Sequence, residues 1–254
     1  MKDIKFTVEW NERLTANVFM LKLAAAEPLA PIRGGQFIHL ETGDKSLLLR
    51  RPFCVFMSDT NSVTVVVAIT GKGTASLAQA KKGDVLNGIV PLGNGFVLDN
   101  ARQNVALLGG GIGAAALLQV TETYPHNNYR SYLGFATADA VLFEKDFARA
   151  TSVKVSTDDG SYGFKGFVTA LFEKDLSEWK PDVILVCGTL PMMRAAAKIA
   201  QAHNIPALVS MEARMGCGVG ACLVCTCETK QNGKLKNLRV CVEGPVFDAN
   251  VVMC

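Results

Sequence analysis

The sequence predicts an antiparallel β-barrel, then a Rossmann-like α/β layer, then a small cysteine-rich C-terminal domain. Short strand-like segments separated by Gly-rich breaks occupy residues 1–98, and strands alternate with helices over residues 99–210. Six of the eight cysteines lie in residues 211–254, which have no strong periodicity. A chain of 254 residues has ample room for these cores.

Composition and charge narrow the functional class. The net charge is only +3, and no run of Lys and Arg exceeds two residues, so nucleic acid is not an expected partner. Residues 1–5 lack an apolar signal region, and the apolar stretch 105–118 is too short and too Gly-broken to span a bilayer, so no membrane insertion is expected. We therefore predict a cytoplasmic protein, in which clustered cysteines serve as metal ligands rather than disulfides.

Hydrophobic patterning places the elements. Residues 4–10 alternate between apolar and polar side chains, which predicts a half-buried strand. Further barrel strands are predicted at 18–23, 36–40, 47–57 and 63–70, with a loop at 27–35. In the second part we predict strands at 105–108, 130–136, 154–157, 183–187 and 206–211, and helices at 114–123 and 191–203.

Three barrel motifs are candidates for ligand binding. Arg50-Arg51-Pro52-Phe53-Cys54 combines two cations with an aromatic ring, which suits a phosphate and a flat ring, although a solvated strand end is an equal alternative. In residues 70–77, Gly73 frees the backbone to approach a ligand, and Thr74 is expected to N-cap a helix that faces an anion; a plain capped turn is the alternative. Residues 88–96 are expected to form a tightly fixed turn.

Two Gly loops follow strands of the α/β part. Residues 109–113 lie between a strand and a helix, the context that a dinucleotide loop requires, and Gly110, Gly111 and Gly113 are its candidate contacts. Cys187 and Gly188 begin the second loop, at an edge where α/β sheets bind ligands. Cys187 is equally a small buried hydrophobe. No acidic residue lies where a ribose ligand is expected, so a choice between NAD and NADP is not predicted.

The C-terminal thiols have the spacing of a plant-type [2Fe-2S] site. Cys217, Cys222 and Cys225 follow C-x4-C-x2-C, and Cys241 supplies the distant fourth ligand. A structural zinc site is the disfavoured alternative, because it usually pairs two separate C-x2–4-C elements. Cys227 is an extra thiol close to Cys225. Cys54 and Cys254 are predicted to be bystanders to the cluster, because they are far from it in sequence. The histidines are expected to be surface or packed residues rather than ligands, because none sits near a thiol: His39, His126 and His203.

The order of these motifs over residues 1–210 resembles the ferredoxin–NADP reductase superfamily. The resemblance implies an FAD-binding barrel and a nicotinamide dinucleotide at the loops 109–113 and 187–193. Arg51 would reach the FAD pyrophosphate, Phe53 would lie against the isoalloxazine, and Cys54 stands where the family usually has Ser or Thr. The other positions that the resemblance assigns to the flavin are Pro52, Ala68, Ile69, Thr70, Gly73 and Thr74.

With the cysteine domain appended, the whole chain resembles the electron-transfer subunits of dihydroorotate dehydrogenase B. This implies a partner subunit that contains FMN and oxidises dihydroorotate in pyrimidine (UMP) biosynthesis, with two copies of each subunit in a heterotetramer. Electrons would pass through the [2Fe-2S] cluster and FAD to NAD+. We find no catalytic group for an organic substrate. The alternatives are a reductase subunit of a hydrogenase or ferredoxin:NAD(P) complex and, in another class, a zinc-stabilised binding protein.

Overall fold

The computed structural model describes residues 1–99, 101, 103–231 and 233–252. The prediction for Cys254 lies outside these residues. Within the described ranges, no helix combines the length and the apolar character needed to cross a bilayer.

Six antiparallel strands close into a barrel in the order β1-β2-β5-β4-β3-β6. Their bounds are β1 Lys2–Thr15, β2 Val18–Ala25, β3 Phe37–Leu40, β4 Arg51–Ser58, β5 Ser62–Ala68 and β6 Val85–Leu92. The expected turn at 88–96 is wrong in its first half, because β6 continues to Leu92 with alternate residues buried. The predicted strand at 47–57 begins only at Arg51.

A seven-stranded sheet follows, in the order β10-β9-β8-β7-β11-β12-β15. The short helix α1, Lys72–Leu77, belongs to the barrel part. The elements of the α/β part are β7 Asn104–Gly110, α2 Ala115–Thr123, β8 Asn128–Phe135, α3 Glu144–Phe147, β9 Ser152–Thr157, β10 Phe164–Lys165, α4 Val168–Asp175, β11 Val183–Cys187, α5 Leu190–Ala202 and β12 Ala207–Ser210. All pairs from β10 to β12 are parallel. Because β7 pairs with both β8 and β11, the chain reverses its winding there, and a crevice opens at the carboxyl ends of β7 and β11.

The C-terminal region contains a hairpin that the sequence did not predict. It consists of β13 Thr226–Gln231 and β14 Lys234–Arg239, which pair in antiparallel register. The chain then returns to the α/β layer, where β15 Val246–Asp248 pairs with β12 and α6 Ala249–Val252 follows. The domain boundaries stay predictions, and residues 246–252 pack with the nucleotide-type sheet.

Candidate cofactor sites

A cavity of about 330 Å³ lies between the barrel and the α/β layer. Its lining brings together most of the predicted flavin and nicotinamide contacts, namely Arg51, Pro52, Phe53, Cys54, Ala68, Thr70, Thr74, Gly113 and Cys187. The lining does not include Ile69, Gly73, Gly110, Gly111 and Gly188. The cavity therefore joins β4 and β5 of the barrel to the carboxyl end of β11, the edge at which α/β sheets bind ligands.

Arg51 reaches across to the start of α1. Its Nε lies 2.7 Å from the point that a Cβ on Gly73 would occupy, so any side chain at Gly73 would displace the guanidinium. The prediction that Thr74 caps α1 is wrong. Gly71 is the N-cap residue, and Thr74 lies inside the helix, where its hydroxyl accepts from the Thr70 N–H at 2.9 Å. The hydroxyl thus orders the turn that faces the cavity.

Two thiols and a carboxyl group meet in the cavity. Burial, followed by the charge of Glu212, raises the pKa of Cys54 to about 12. Burial also raises the pKa of Cys187 well above its usual value, with smaller effects from Cys54 and Glu212. Both side chains are consequently neutral S–H groups at neutral pH. A thiol in this state is a weak hydrogen-bond donor.

Glu212 was missed in the sequence. It lines the cavity, and burial raises its carboxyl pKa above the usual value. It follows β12 by two residues, so its position at the carboxyl end of a predicted strand was the signal that could have identified it.

The two predicted Gly loops pack against each other. A Cβ on Gly113 would come within 2.9 Å of the Cα of Gly188, and one on Gly110 within 2.4 Å of Met192 Sδ. Gly111 differs, because it has φ +54° and nothing lies within 4 Å of its Cβ position. Glycine is therefore required for close backbone approach at Gly110 and Gly113, and Gly111 offers open backbone to a ligand.

Backbone N–H groups in the cysteine loop point at sulfur. Cys217 Sγ accepts from Ala221 at 3.3 Å and from Val219 and Cys222 at 3.4 Å. Cys222 Sγ accepts from the N–H of Cys217, and Cys225 Sγ from the N–H of Cys241, each at 3.4 Å. Gly218 and Gly220 have φ +70° and +86°, which allows the loop to curl around its own sulfur atoms.

Electrostatic interactions connect all four predicted ligands. Burial opposes ionisation of Cys217, but hydrogen bonds from Val219 and Cys222 outweigh it and lower the pKa to about 6. Burial, then contact with Cys225, raises the pKa of Cys241 to about 12, and Cys217 adds to that effect. Among the described residues, no three such side chains are already gathered in a metal-holding geometry. Neighbouring thiols can all ionise only beside a cation, which is the chemistry that an iron site supplies.

Arg239 ties the cysteine loop to the segment that follows Cys241. It donates to the Gly220 carbonyl at 3.1 Å and pairs with the Glu243 carboxylate, which lowers the pKa of Glu243 to about 2. Asn94 of the barrel donates to the Val242 carbonyl at 2.9 Å. Residues 93–96, the part of the predicted 88–96 turn that follows β6, therefore attach the cluster region to the barrel.

Cys227 and His39 lie beside the cysteine loop without being predicted ligands. Cys227 lies half-buried in β13, opposite Leu238, and burial raises its pKa. His39 is buried, in agreement with the expectation of a surface or packed histidine, but the sequence did not predict that it packs against the cysteine loop. A Cβ on Gly218 would lie 2.6 Å from His39 Nδ1, which places the imidazole against the residue that follows Cys217.

Comparison with known proteins identifies the family. Residues 212–253 match the family described as the iron-sulfur cluster binding domain of dihydroorotate dehydrogenase B. The electron transfer subunit of dihydroorotate dehydrogenase B (NAD(+)) from Streptococcus mutans is 36% identical, over 97% of this chain and 96% of that protein. The chain belongs to this family of electron-transfer subunits. The corresponding Streptococcus thermophilus protein is 38% identical, over 97% of both chains.

A solved structure supports the same architecture. That structure is of an NADH-dependent reduced ferredoxin-NADP oxidoreductase, studied for flavin-based electron bifurcation. It is 27% identical with a TM-score of 0.85, over 97% of this chain and 89% of that one. The predicted fold class, family and electron-transfer role are confirmed, whereas the individual site residues stay predictions.

Proposed function

We propose that this chain receives electrons from a partner subunit that oxidises dihydroorotate, and delivers them to NAD+. The [2Fe-2S] cluster would be the entry point and FAD the intermediate carrier. Flavins supply the conversion between one-electron iron–sulfur chemistry and two-electron hydride chemistry. The observation that carries this proposal is that the two sites share a wall. Met211 and Met215 line the cavity, and the same segment leads directly into Cys217.

On the cavity side, the residues bind and orient. Arg51, with Gly73 and Thr74 beside it, would hold the FAD diphosphate, because a guanidinium pairs with phosphate in a bidentate manner. Phe53 would pack on the flavin ring. The S–H groups of Cys54 and Cys187 keep the redox face neutral, and Gly111 with Gly188 would admit the nicotinamide dinucleotide at the sheet edge.

On the cluster side, Cys217, Cys222, Cys225 and Cys241 would be the iron ligands. The backbone N–H groups that already point at these sulfurs would stabilise the added negative charge of the reduced state. Arg239 and Asn94 hold the two ligand segments together and against the barrel.

The partner in this proposal contains FMN, and two copies of each subunit form the complex in the cytoplasm. Members of the matched family are named as electron transfer subunits, which supports a separate catalytic subunit. The described cysteines are free thiols, as a reducing compartment favours.

The test is co-purification with the catalytic subunit. We expect flavin bands with iron–sulfur shoulders, about two irons and one FAD per chain, and NAD+ reduction that depends on dihydroorotate. A colourless protein with stoichiometric zinc would contradict the proposal. Recovery of a hydrogenase or ferredoxin-linked partner instead would favour the alternative reductase function, to which the structural similarity with the ferredoxin-NADP oxidoreductase also points.

A further inference from the structure

His39 lies on the strand between the two cofactor sites. Along β3, Ile38 and Leu40 belong to the barrel core, whereas Phe37 and His39 alternate with them and face outward. Phe37 lines the cavity and belongs to the hydrophobic cluster that contains Cys225 and Cys241. His39 is the next outward residue, and the cysteine loop covers it.

The imidazole is buried without a hydrogen-bond partner. The residue is 1% exposed, and neither Nδ1 nor Nε2 has a partner within the described parts of the chain. A buried polar group without a partner destabilises the folded protein. Such a group therefore calls for an explanation, and a role beside an ion or redox group is one of the few available.

The group that covers His39 is the loop between the first two predicted ligands. Gly218, the residue after Cys217, lies so close that a Cβ there would come within 2.6 Å of Nδ1 and 3.1 Å of Cγ. With φ +70° this glycine also holds the turn of the loop. The loop therefore places its backbone against the imidazole ring, one residue after the predicted ligand Cys217.

The local charges favour a neutral ring that keeps one N–H. Burial is the main effect that lowers the pKa of His39. The backbone groups of Cys217 and Arg50, which lie near the ring but outside hydrogen-bond geometry, oppose it, and the charges of Arg50 and Arg51 add to it. A neutral imidazole has one donor nitrogen and no charge. It can hydrogen-bond to a negatively charged sulfur without adding a buried cation.

We propose that His39 is a positioning residue that donates its ring N–H to a sulfur of the [2Fe-2S] cluster and raises the reduction potential of that cluster. The inference rests on the proposed cluster site. A hydrogen bond to cluster sulfur stabilises the reduced form more than the oxidised form, because reduction adds negative charge to the sulfur atoms. The same contact fixes the loop on the barrel strand that also borders the flavin cavity.

The first experiment compares His39→Leu, which removes both nitrogens, with His39→Gln, which keeps a donor. The variants are co-purified with the catalytic subunit, and the cluster is titrated potentiometrically with EPR detection. For His39→Leu we expect the reduced-to-oxidised ratio at a fixed potential to fall about tenfold, which is about 59 mV for a one-electron couple. Most of this loss should be recovered in His39→Gln. His203→Gln, at an exposed site after α5, is the matched control and should leave the ratio unchanged.

Equal shifts in His39→Leu and His39→Gln would overturn the proposal, because they would indicate a packing effect. An unchanged ratio in His39→Leu would overturn it as well. If wild-type protein contains flavin but no iron–sulfur signal, the cluster site itself fails, and that result is distinct from a cluster that is present but insensitive to His39.

The second measurement does not depend on folding of a variant. Complex labelled with ring-15N histidine is reduced and examined by pulsed EPR. We expect a 15N coupling to the cluster that is retained in His203→Gln. Absence of any histidine coupling in the wild-type complex would overturn the proposal even if His39→Leu fails to assemble.

Discussion

In the flavin cavity, burial raises the pKa of Cys54 to about 12, whereas in the cysteine loop backbone N–H groups lower the pKa of Cys217 to about 6. Both are thiols in one chain, Cys54 on β4 of the barrel and Cys217 in the loop that follows β12. Cys54 lies in a cavity wall where burial dominates its pKa, whereas the cysteine loop turns its own amides toward sulfur. The direction of the backbone N–H groups therefore separates the Cys217 thiol from that of Cys54, whereas Cys241, another predicted ligand, has a raised pKa like that of Cys54.

The glycines of the flavin cavity and those of the cysteine loop also have different structural roles. In the cavity loops, Gly113 and Gly188 allow two backbones to touch. In the cysteine loop, Gly218 and Gly220 allow positive φ, so that successive N–H groups converge. One site is built by close approach and the other by curvature, so a single change should affect one and leave the other.

The largest expected effect is complete loss of the cluster. Cys222→Ser removes one predicted ligand and should abolish iron binding and the iron–sulfur absorbance, while FAD stays at one per chain because the cavity does not contain Cys222. Iron and flavin analyses of the purified complex measure both. Cys227→Ser is the matched control and should retain the cluster. Retention of the cluster in Cys222→Ser together with its loss in Cys227→Ser would make Cys227, rather than Cys222, the ligand.

The second effect is confined to the cavity. Arg51→Leu should weaken FAD binding about tenfold to hundredfold, because hydrogen bonds to charged groups contribute about 1.5–3 kcal/mol. Flavin fluorescence during titration of the apoprotein gives the dissociation constant. Arg50→Leu is the control, because Arg50 pairs with Asp3 and Glu41. Equal weakening in both variants would mean that general charge, and not the contact of Arg51 with Gly73, holds the flavin.

The smallest effect tests the two thiol classes directly. In iron-free protein, the alkylation rate of Cys217 should rise about tenfold from pH 5 to pH 7, because its lowered pKa makes it mostly thiolate at the higher pH. Cys54 and Cys241, with pKa values raised to about 12, should stay slow over the same range. Peptide mass spectrometry after timed iodoacetamide treatment separates them. Similar pH profiles at Cys217 and Cys54 would contradict the comparison.

Much of the fold followed from local patterns. Apolar patterning identified five of the six barrel strands but not β6, and strand–helix alternation identified the α/β layer, because each pattern depends on residues within a few positions of one another. The hairpin of β13 and β14 was missed because its residues are mostly polar and exposed, so no periodic burial marks them. The capping role given to Thr74 failed since Gly71, without a side-chain signal, begins α1.

The cysteine spacing and the Gly loops, by themselves, determined the family, the kinds of cofactor and the four predicted iron ligands. Tertiary structure alone decided which other residues surround them. Asn94 bonds to Val242 across 148 positions, and His39 meets Gly218 although a whole domain separates them in sequence. Such contacts arise when a barrel face, a sheet edge and a loop pack against one another, and local sequence patterns do not predict which surfaces will meet. The spacing of the four cysteines thus predicts them as ligands, whereas the hydrogen bonds around their sulfur atoms are determined by the tertiary structure.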